Sequence, residues 1–330
     1  MILSIDEARR LLERSMVAVG HTDDEADIIA DHLIDCELRG LSFGGLARAL
    51  SIIERIQATT EPRRPITVVK ETPVSAAIDG GDQVGYLVGR IATDLAIQKA
   101  QESGIACIGA YESWYTGMFS YYLEAITKQG LVGMAAGSGG HIVAPFGGTE
   151  GRFATNPIAF GFPSTGDPVI WDIGTSSITL AEVFLAGRLG EQLPEGRAFD
   201  GAGAPTRDPM AALGGAFTVW GGHKGSGLAV VIQLLGMMCG AAMKPDGLRD
   251  VGFFLLVVNP GLLTSADDYP RRVAEYADLL RSTRPVDPDQ PVRVPFERSA
   301  SVRAVRLATG TIEVDDTVHA QLADIASAAT

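Results

Sequence analysis

The sequence predicts an α/β protein in which a helical N-terminal segment precedes a largely buried sheet flanked by helices. Three observations carry this expectation. The first forty residues repeat apolar side chains at helical spacing behind two capping boxes. From residue 66 short apolar strands alternate with helical stretches. And 330 residues, 46% hydrophobic and 20% charged, can bury a sizeable core without a disulfide or metal staple.

Taken in order, Ser4-x-x-Glu7 and Thr22-x-x-Glu25 satisfy orphan N–H groups at two helix starts. Behind them Leu11, Leu12, Met16 and Val19, then Ala26, Ile29, Leu33 and Cys36, form apolar stripes, and Gly20 and Gly40 stand where helices end. A third helix is expected over 46–56, after Gly44 and Gly45. The basic, proline-bearing stretch 61–65 then marks a boundary. Strands are expected over 66–70, 75–79, 105–110 and 131–136, with helices over 89–103 and 118–129 between them. A glycine- and proline-rich passage, 137–163, leads to a strand over 169–173. Residues 187–222 read as loop, and 221–227 opens a long apolar helix over 228–243. A strand over 253–259, a polar helix over 267–282, an Arg-rich loop closing at 292–298 and a small helix over 315–328 complete the chain. The organisation expected is 1–65 as a helical segment for substrate and dimer contacts, 66–300 as the α/β domain with inserted loops, and 301–330 as a tail packing back on the first segment.

Composition excludes several functions. Twenty-seven basic against 40 acidic residues leave a charge of −13, which repels polyphosphate, so nucleic acid and anionic membrane are poor partners. Cys36, Cys107 and Cys239 form an odd, widely spaced set without CxxC, which favours free thiols in a reducing compartment. The N-terminus has no signal-peptide pattern, and the apolar run at 228–243 is too short to span a bilayer, so a cytoplasmic protein is expected. No HExxH, Walker A or GxGxxG pattern occurs, and no GxSxG nucleophile elbow joins a strand to a helix. Among the histidines, His21, His32 and His319 read as structural, whereas His141 and His223 sit in glycine-rich loops of the kind that present functional groups. The turn at 221–227, with Lys224 at a helix start, fits either an anion cradle or a helix–sheet packing turn.

With these loops laid out, the chain resembles the malate/L-lactate dehydrogenase family of the non-Rossmann type. The resemblance spans nearly the whole length, in order: Leu38-Arg-Gly40, Val143-Ala-Pro-Phe-Gly-Gly148, Thr155-Asn-Pro-Ile-Ala-Phe160, Asp172-Ile-Gly-Thr-Ser176, Leu193-Pro-Glu-Gly196, Pro205-Thr-Arg-Asp-Pro209 and His223-Lys-Gly225. It implies a homodimer with a mixed central sheet flanked by helices, an NADPH or NADH cofactor, and hydride transfer at a carbon next to a carboxylate. By the same resemblance Arg48 matches the arginine that grips the substrate carboxylate, and Thr155 a substrate-contacting threonine. Tyr115, Thr116, Gly117, Met118 and Phe119 match the segment lining the nicotinamide. Asp172, Ile173, Gly174, His223, Lys224, Arg293 and Arg298 match cofactor contacts.

The departures from that pattern are as informative. The family's Ser–His proton-donating pair is Phe43-Gly44 here, its second histidine is Tyr115, a common lysine is Glu182, and its Pro-Gly turn is Pro295-Phe296. An alkoxide formed from a ketone needs an acid, which leaves Tyr115, His141, His223 or water. A protonated imine needs none. Phe43 and Gly44 also give an apolar wall and an opening beside the substrate. The expectation is therefore reduction of a C=N bond next to a carboxylate. The rivals are a 2-keto acid dehydrogenase with Tyr115 as proton donor, and a relative that no longer catalyses.

Overall fold

The computed structural model describes residues 1–245 and 247–327. The last residue expected in the C-terminal helix, Ala328, lies outside them. Three layers pack around a mixed, seven-stranded sheet.

Strand β1 (Ile2–Ser4) runs into α1 (Ile5–Ala18), and α2 (Asp23–Leu38) follows; both helices start with the capping boxes read from sequence. A 3₁₀ turn, Ser42–Gly44, leads into α3 (Leu46–Ala58). Ala8, Leu11, Leu12 and Met16 of α1 meet Ile29 and Leu33 of α2 and Leu46, Ile52 and Ile53 of α3 in one core. Each such side chain contributes about 1.5–3 kcal/mol on leaving water.

The sheet begins with β2 (Thr67–Thr72) and β3 (Ser75–Val84). The crossover helix α4 (Gly85–Ser103) then returns the chain to β4 (Ile105–Trp114) parallel to β3. Helix α5 (Phe119–Lys128), β5 (Val132–Gly137), β6 (Ile158–Phe162), β7 (Val169–Ile173) and α6 (Leu180–Leu189) come next. The inserted stretch contains β8 (Ala198–Phe199), β9 (Pro205–Thr206), α7 (Pro209–Leu213) and β10 (Ala216–Phe217), with the three strands forming a small sheet of their own. Helix α8 (His223–Met238) precedes β11 (Phe253–Val258), which enters the main sheet between β4 and β5, antiparallel to both. Its order is β2-β3-β4-β11-β5-β6-β7. Helices α4 and α5 cover one face through Val88, Ala92, Ala96, Leu123 and Ile126, while Ile232 and Cys239 bring α8 and its end onto Ala136, Ile158 and Phe254 on the other.

Helix α9 (Asp268–Arg281) and α10 (Glu297–Thr309) lead to β12 (Thr311–Glu313), which pairs with β1, and to α11 (Asp316–Ser327), whose Val318 and Leu322 enter the α1–α3 core.

Several expectations need correction. Strand β3 runs to Val84, well past residue 79, and α4 begins at Gly85. Strand β6 lies inside the glycine- and proline-rich passage, and α10 spans the boundary at 301 ahead of the small C-terminal helix. Helix α8 starts five residues earlier than expected, because the turn around Gly225 is already its first turn, and it ends at Met238.

Candidate active site

The site begins at the α2–α3 junction. The N-cap of α3, Gly45, has no side chain to offer, so the first turn is capped from α2: Leu46 N–H donates to Glu37 Oε1 at 2.8 Å. A Cβ at residue 45 would collide with that carboxylate, which is why glycine stands there. Burial pushes Glu37 up to about 7, and its Oε2 has no partner among the described residues.

Two residues into α3, Arg48 is 8% exposed, with its guanidinium 4.2 Å over the Tyr115 ring. No carboxylate pairs with it among the described residues, and its Nη1 is buried without an acceptor. Tyr115 lies just past the end of β4 in the left-handed region at φ +52. That conformation costs a residue with a Cβ roughly 1–2 kcal/mol. Burial raises its phenol above the usual range, with Arg48 opposing, so the phenol stays protonated through neutral pH.

The segment after Tyr115 is fastened from behind. Tyr122 hydroxyl donates to Thr116 C=O at 2.8 Å, and Met118 N–H donates to His32 Nε2 at 2.9 Å. Gly117, at φ +72, fits where a Cβ would meet Tyr86 and the His32 ring. His32 is thus an acceptor at Nε2 and carries its proton on Nδ1, and burial lowers it to about 3. The ring of Phe119 is in the sheet core, 5.3 Å from Phe253, so at this position only the backbone can face a ligand.

The remaining sequence-assigned residues are placed as follows. Phe43 and Gly44 occupy the half-buried 3₁₀ turn before α3, with Gly44 against Cys36. Asp172, at the end of β7, turns its carboxylate inward to accept Ser120 N–H at 2.7 Å, capping α5, and burial raises it. Its carboxylate is therefore occupied in holding the 116–119 segment, and Ile173 and Gly174 follow it at half-buried positions. Thr155 C=O accepts Thr175 N–H at 2.9 Å and the Thr175 hydroxyl at 3.1 Å; Asn156, at φ +36, donates to Ala229 C=O and Gln233 Oε1. That ties the Thr-Asn-Pro turn to α8. His141 Nε2 lies 3.1 Å from Met243 C=O.

His223 and Lys224 are exposed on the first turn of α8, whose N-cap, Gly222, offers no side chain; Phe146, 6.2 Å from the His223 ring, donates its N–H to Ser226 Oγ. An uncapped first turn with an exposed lysine suits a phosphate. Arg293 and Arg298 are exposed around the start of α10. Between them Phe296 sits at φ +83, where the resembled family has glycine, and its ring lies 4.5 Å under Arg39. Glu182, in place of a lysine, completes a third capping box by accepting Thr179 N–H at 2.7 Å.

The structure therefore brings together Arg48, Tyr115 and the 116–119 segment, with Asp172 attached through Ser120. No hydrogen bond, ion pair or ring contact among the described residues joins His141, Thr155, His223, Lys224, Arg293 or Arg298 to Arg48 or Tyr115. His32 is structural, as the sequence suggests, but its place directly behind the 116–119 segment is not evident from the sequence reading. It stands three after Ile29 and four before Cys36, on the apolar stripe itself, and that spacing was the available signal.

The comparisons agree with this architecture. The sequence profile of the malate/L-lactate dehydrogenase family matches residues 3–323. L-sulfolactate dehydrogenase of Methanocaldococcus jannaschii is 30% identical over 334 residues, covering 98% of this chain and 96% of that protein. Delta(1)-pyrroline-2-carboxylate reductase of Ancylobacter novellus is 30% identical, covering 97% and 96%. A solved dehydrogenase structure from Sinorhizobium meliloti superposes with a TM-score of 0.91 at 29% identity, covering 99% of this chain and 98% of that one.

Proposed function

The chain belongs to the malate/L-lactate dehydrogenase family of NAD(P)-dependent dehydrogenases and reductases, and from that premise we propose that it reduces a cyclic C=N bond next to a carboxylate. The observation that carries the proposal is Arg48: a buried cation with no carboxylate paired to it among the described residues and an Nη1 without an acceptor there. A buried guanidinium in that condition gains most from an incoming carboxylate, which it can hold through two parallel charge-assisted bonds.

A reduced nicotinamide, when bound, supplies the hydride. Its nucleotide phosphates would suit the first turn of α8 with Lys224, Arg293 and Arg298 would be further cations for it, and the backbone of 115–119 and the 172–174 turn would hold its other end. Arg48 fixes the substrate carboxylate, so the carbon beside it is presented in one orientation. Tyr115 covers the guanidinium face and keeps water from it. Phe43 and Gly44 replace a hydroxyl and an imidazole with an apolar wall and a gap. Hydride addition to a protonated imine gives a neutral amine, so that step needs no proton from the protein. The pyrroline-2-carboxylate reductase among the relatives supports the same chemistry.

A second reading is favoured by one observation, the protonated Tyr115 phenol beside Arg48. In a 2-keto acid reductase it would give its proton to the forming alkoxide. Assays of NADPH and NADH consumption with pyrroline-2-carboxylate, piperideine-2-carboxylate, pyruvate and oxaloacetate, on wild type and Tyr115→Phe, separate the two. Imine turnover changed less than about threefold by Tyr115→Phe supports the proposal. Keto acid turnover that falls roughly 10²-fold or more in that variant replaces it.

The proposal places residues 1–65 at the substrate and the subunit contact, 66–300 around the cofactor and 301–330 as a brace on the first segment. Free cysteines agree with a cytoplasmic setting, and no helix among the described residues is long and apolar enough to cross a membrane. A homodimer is supported by α8, whose outward Val230, Val231, Leu234 and Met238 are exposed.

A further inference from the structure

Arg48 is not the only arginine of α3 that lies on an aromatic ring. Arg55 is seven residues further on, two turns along the same face of the helix. Its guanidinium is 4.7 Å over Trp114, the residue before Tyr115. Consecutive aromatic residues at the end of β4 are therefore clasped by two arginines of one helix, and their rings meet edge-on at 5.6 Å.

The second clasp is tied far more heavily than the first. Arg55 Nη2 donates to both oxygens of Asp82 at 2.7 and 2.9 Å, Nη1 to Thr59 Oγ1 at 2.5 Å, and Nε to Leu248 C=O at 3.4 Å. Trp114 Nε1–H donates to the backbone C=O of the same Asp82 at 2.9 Å. Arg55 thus joins α3, the end of β3, the end of β4 and the loop before β11 at a single guanidinium. Tyr115, by contrast, stacks on Arg48 while its backbone is in a disfavoured left-handed conformation.

We infer that Arg55 is a positioning residue: by fixing Trp114 against Asp82 it holds Tyr115 in its left-handed conformation over Arg48, and so keeps one face of the carboxylate-binding guanidinium covered. The functional half of this rests on the reading of Arg48 given above; the geometric half does not. Nothing about Arg55 requires contact with substrate or cofactor. It acts through its neighbour in space, and it defines how much of Arg48 an incoming carboxylate meets. With the face covered, a carboxylate can meet Arg48 only at the guanidinium edge.

The test is a pair of crystal structures, wild type and Arg55→Met, with steady-state kinetics on the substrate identified by the assay panel and NADPH or NADH as cofactor. In Arg55→Met, Tyr115 should leave positive φ and its ring should move beyond about 6 Å from the Arg48 guanidinium. The KM for the carboxylate substrate should rise roughly tenfold, with kcat within about threefold and the cofactor KM unchanged. A general loss of stability would not produce that split. Tyr115 still stacked on Arg48 at φ near its present value overturns the inference, whatever the kinetics. If Arg55→Met does not fold, Arg55→Lys decides in the same way, since it keeps the charge but loses the planar face and the two-point contact with Asp82. The outcomes stay separable from those of the proposed function. An Arg48→Met variant with unchanged substrate KM sinks the carboxylate reading, while the position of Tyr115 in Arg55→Met still decides the role of Arg55.

Discussion

Arg39 and Arg48 are both buried arginines, nine residues apart in sequence, and they are in opposite electrostatic states. Arg39 donates Nε to Asp35 and Nη2 to Glu124, each at 2.6 Å. Arg303 of α10 pairs with the same two carboxylates at 2.8 and 3.2 Å, and Lys128 reaches Glu124 at 3.5 Å, so Arg39 sits in a fully paired cluster between α2, α5 and α10. Arg48 has an aromatic face and, among the described residues, no carboxylate paired with it. Each leaves one Nη1 without an acceptor, so hydrogen-bond satisfaction does not separate them. Charge does. A cation whose counter-charge is built in holds helices together; one whose counter-charge is missing is a receptor for it.

The sharpest way to break this contrast is to remove each charge. Arg39→Met leaves Asp35 and Glu124 short of a partner in the interior and should cost about 3–5 kcal/mol, read as the midpoint of denaturant unfolding, without altering substrate KM in the protein that remains folded. Arg48→Met should do the reverse. It removes two charge-assisted bonds to a carboxylate, about 3 kcal/mol together and roughly 10²-fold in kcat/KM, while unfolding stability holds or rises. If Arg48→Met destabilises the fold as much as Arg39→Met, the contrast is wrong.

A third prediction sharpens it through pH. Glu37 titrates near 7 in the fold against an ordinary 4.5, so the folded state binds the extra proton and this carboxyl favours the fold at low pH; that contribution is lost as pH rises from about 4.5 to about 7. His32, near 3 in the fold against 6.5, acts oppositely: its contribution is present above 6.5 and lost as pH falls. The two slopes oppose each other between about 4.5 and 6.5. Glu37→Gln keeps an acceptor for Leu46 N–H and should unmask the histidine, so that its melting temperature falls more steeply than that of wild type on acidification through this window. Parallel curves for the two proteins would count against the buried Glu37 described above.

The smallest expected effect concerns the start of α10. Phe296→Gly relieves a strained backbone, worth about 1–2 kcal/mol, and removes a cation–π contact worth about 0.5–2 kcal/mol. Unfolding stability should change by less than about 1 kcal/mol in either direction. A loss well above that would assign the ring a larger share in holding Arg39.

Much of the fold was legible because local chemistry and global packing agreed. The capping boxes at Ser4 and Thr22, the apolar stripes behind them and the strand Val169–Ile173 appear where the residues placed them. Helix α6 was not read, although Thr179-x-x-Glu182 obeys the same capping rule; Glu182 drew notice only as a missing lysine. Strand β6 was hidden by the glycines and prolines around it, and β8, β9 and β10 are two residues each, too short for any periodicity. At the site, Arg48 and Tyr115 were nameable from the resemblance, but their stacking was not, because it depends on a left-handed residue following a strand. Glu37, His32, Tyr86 and Arg55 shape the surroundings of Arg48 and the 115–119 segment through contacts distant in sequence, and no local pattern announces these.

Phe296 leaves one last consequence. Where a glycine would let the 293–298 segment swivel freely, this chain has wedged a ring beneath Arg39, itself locked to two carboxylates. The strap bearing Arg293 and Arg298 is thereby riveted to the second helix, and any outward swing must begin by peeling that ring away. Any opening of this strap would then be timed by the lifting of one aromatic side chain.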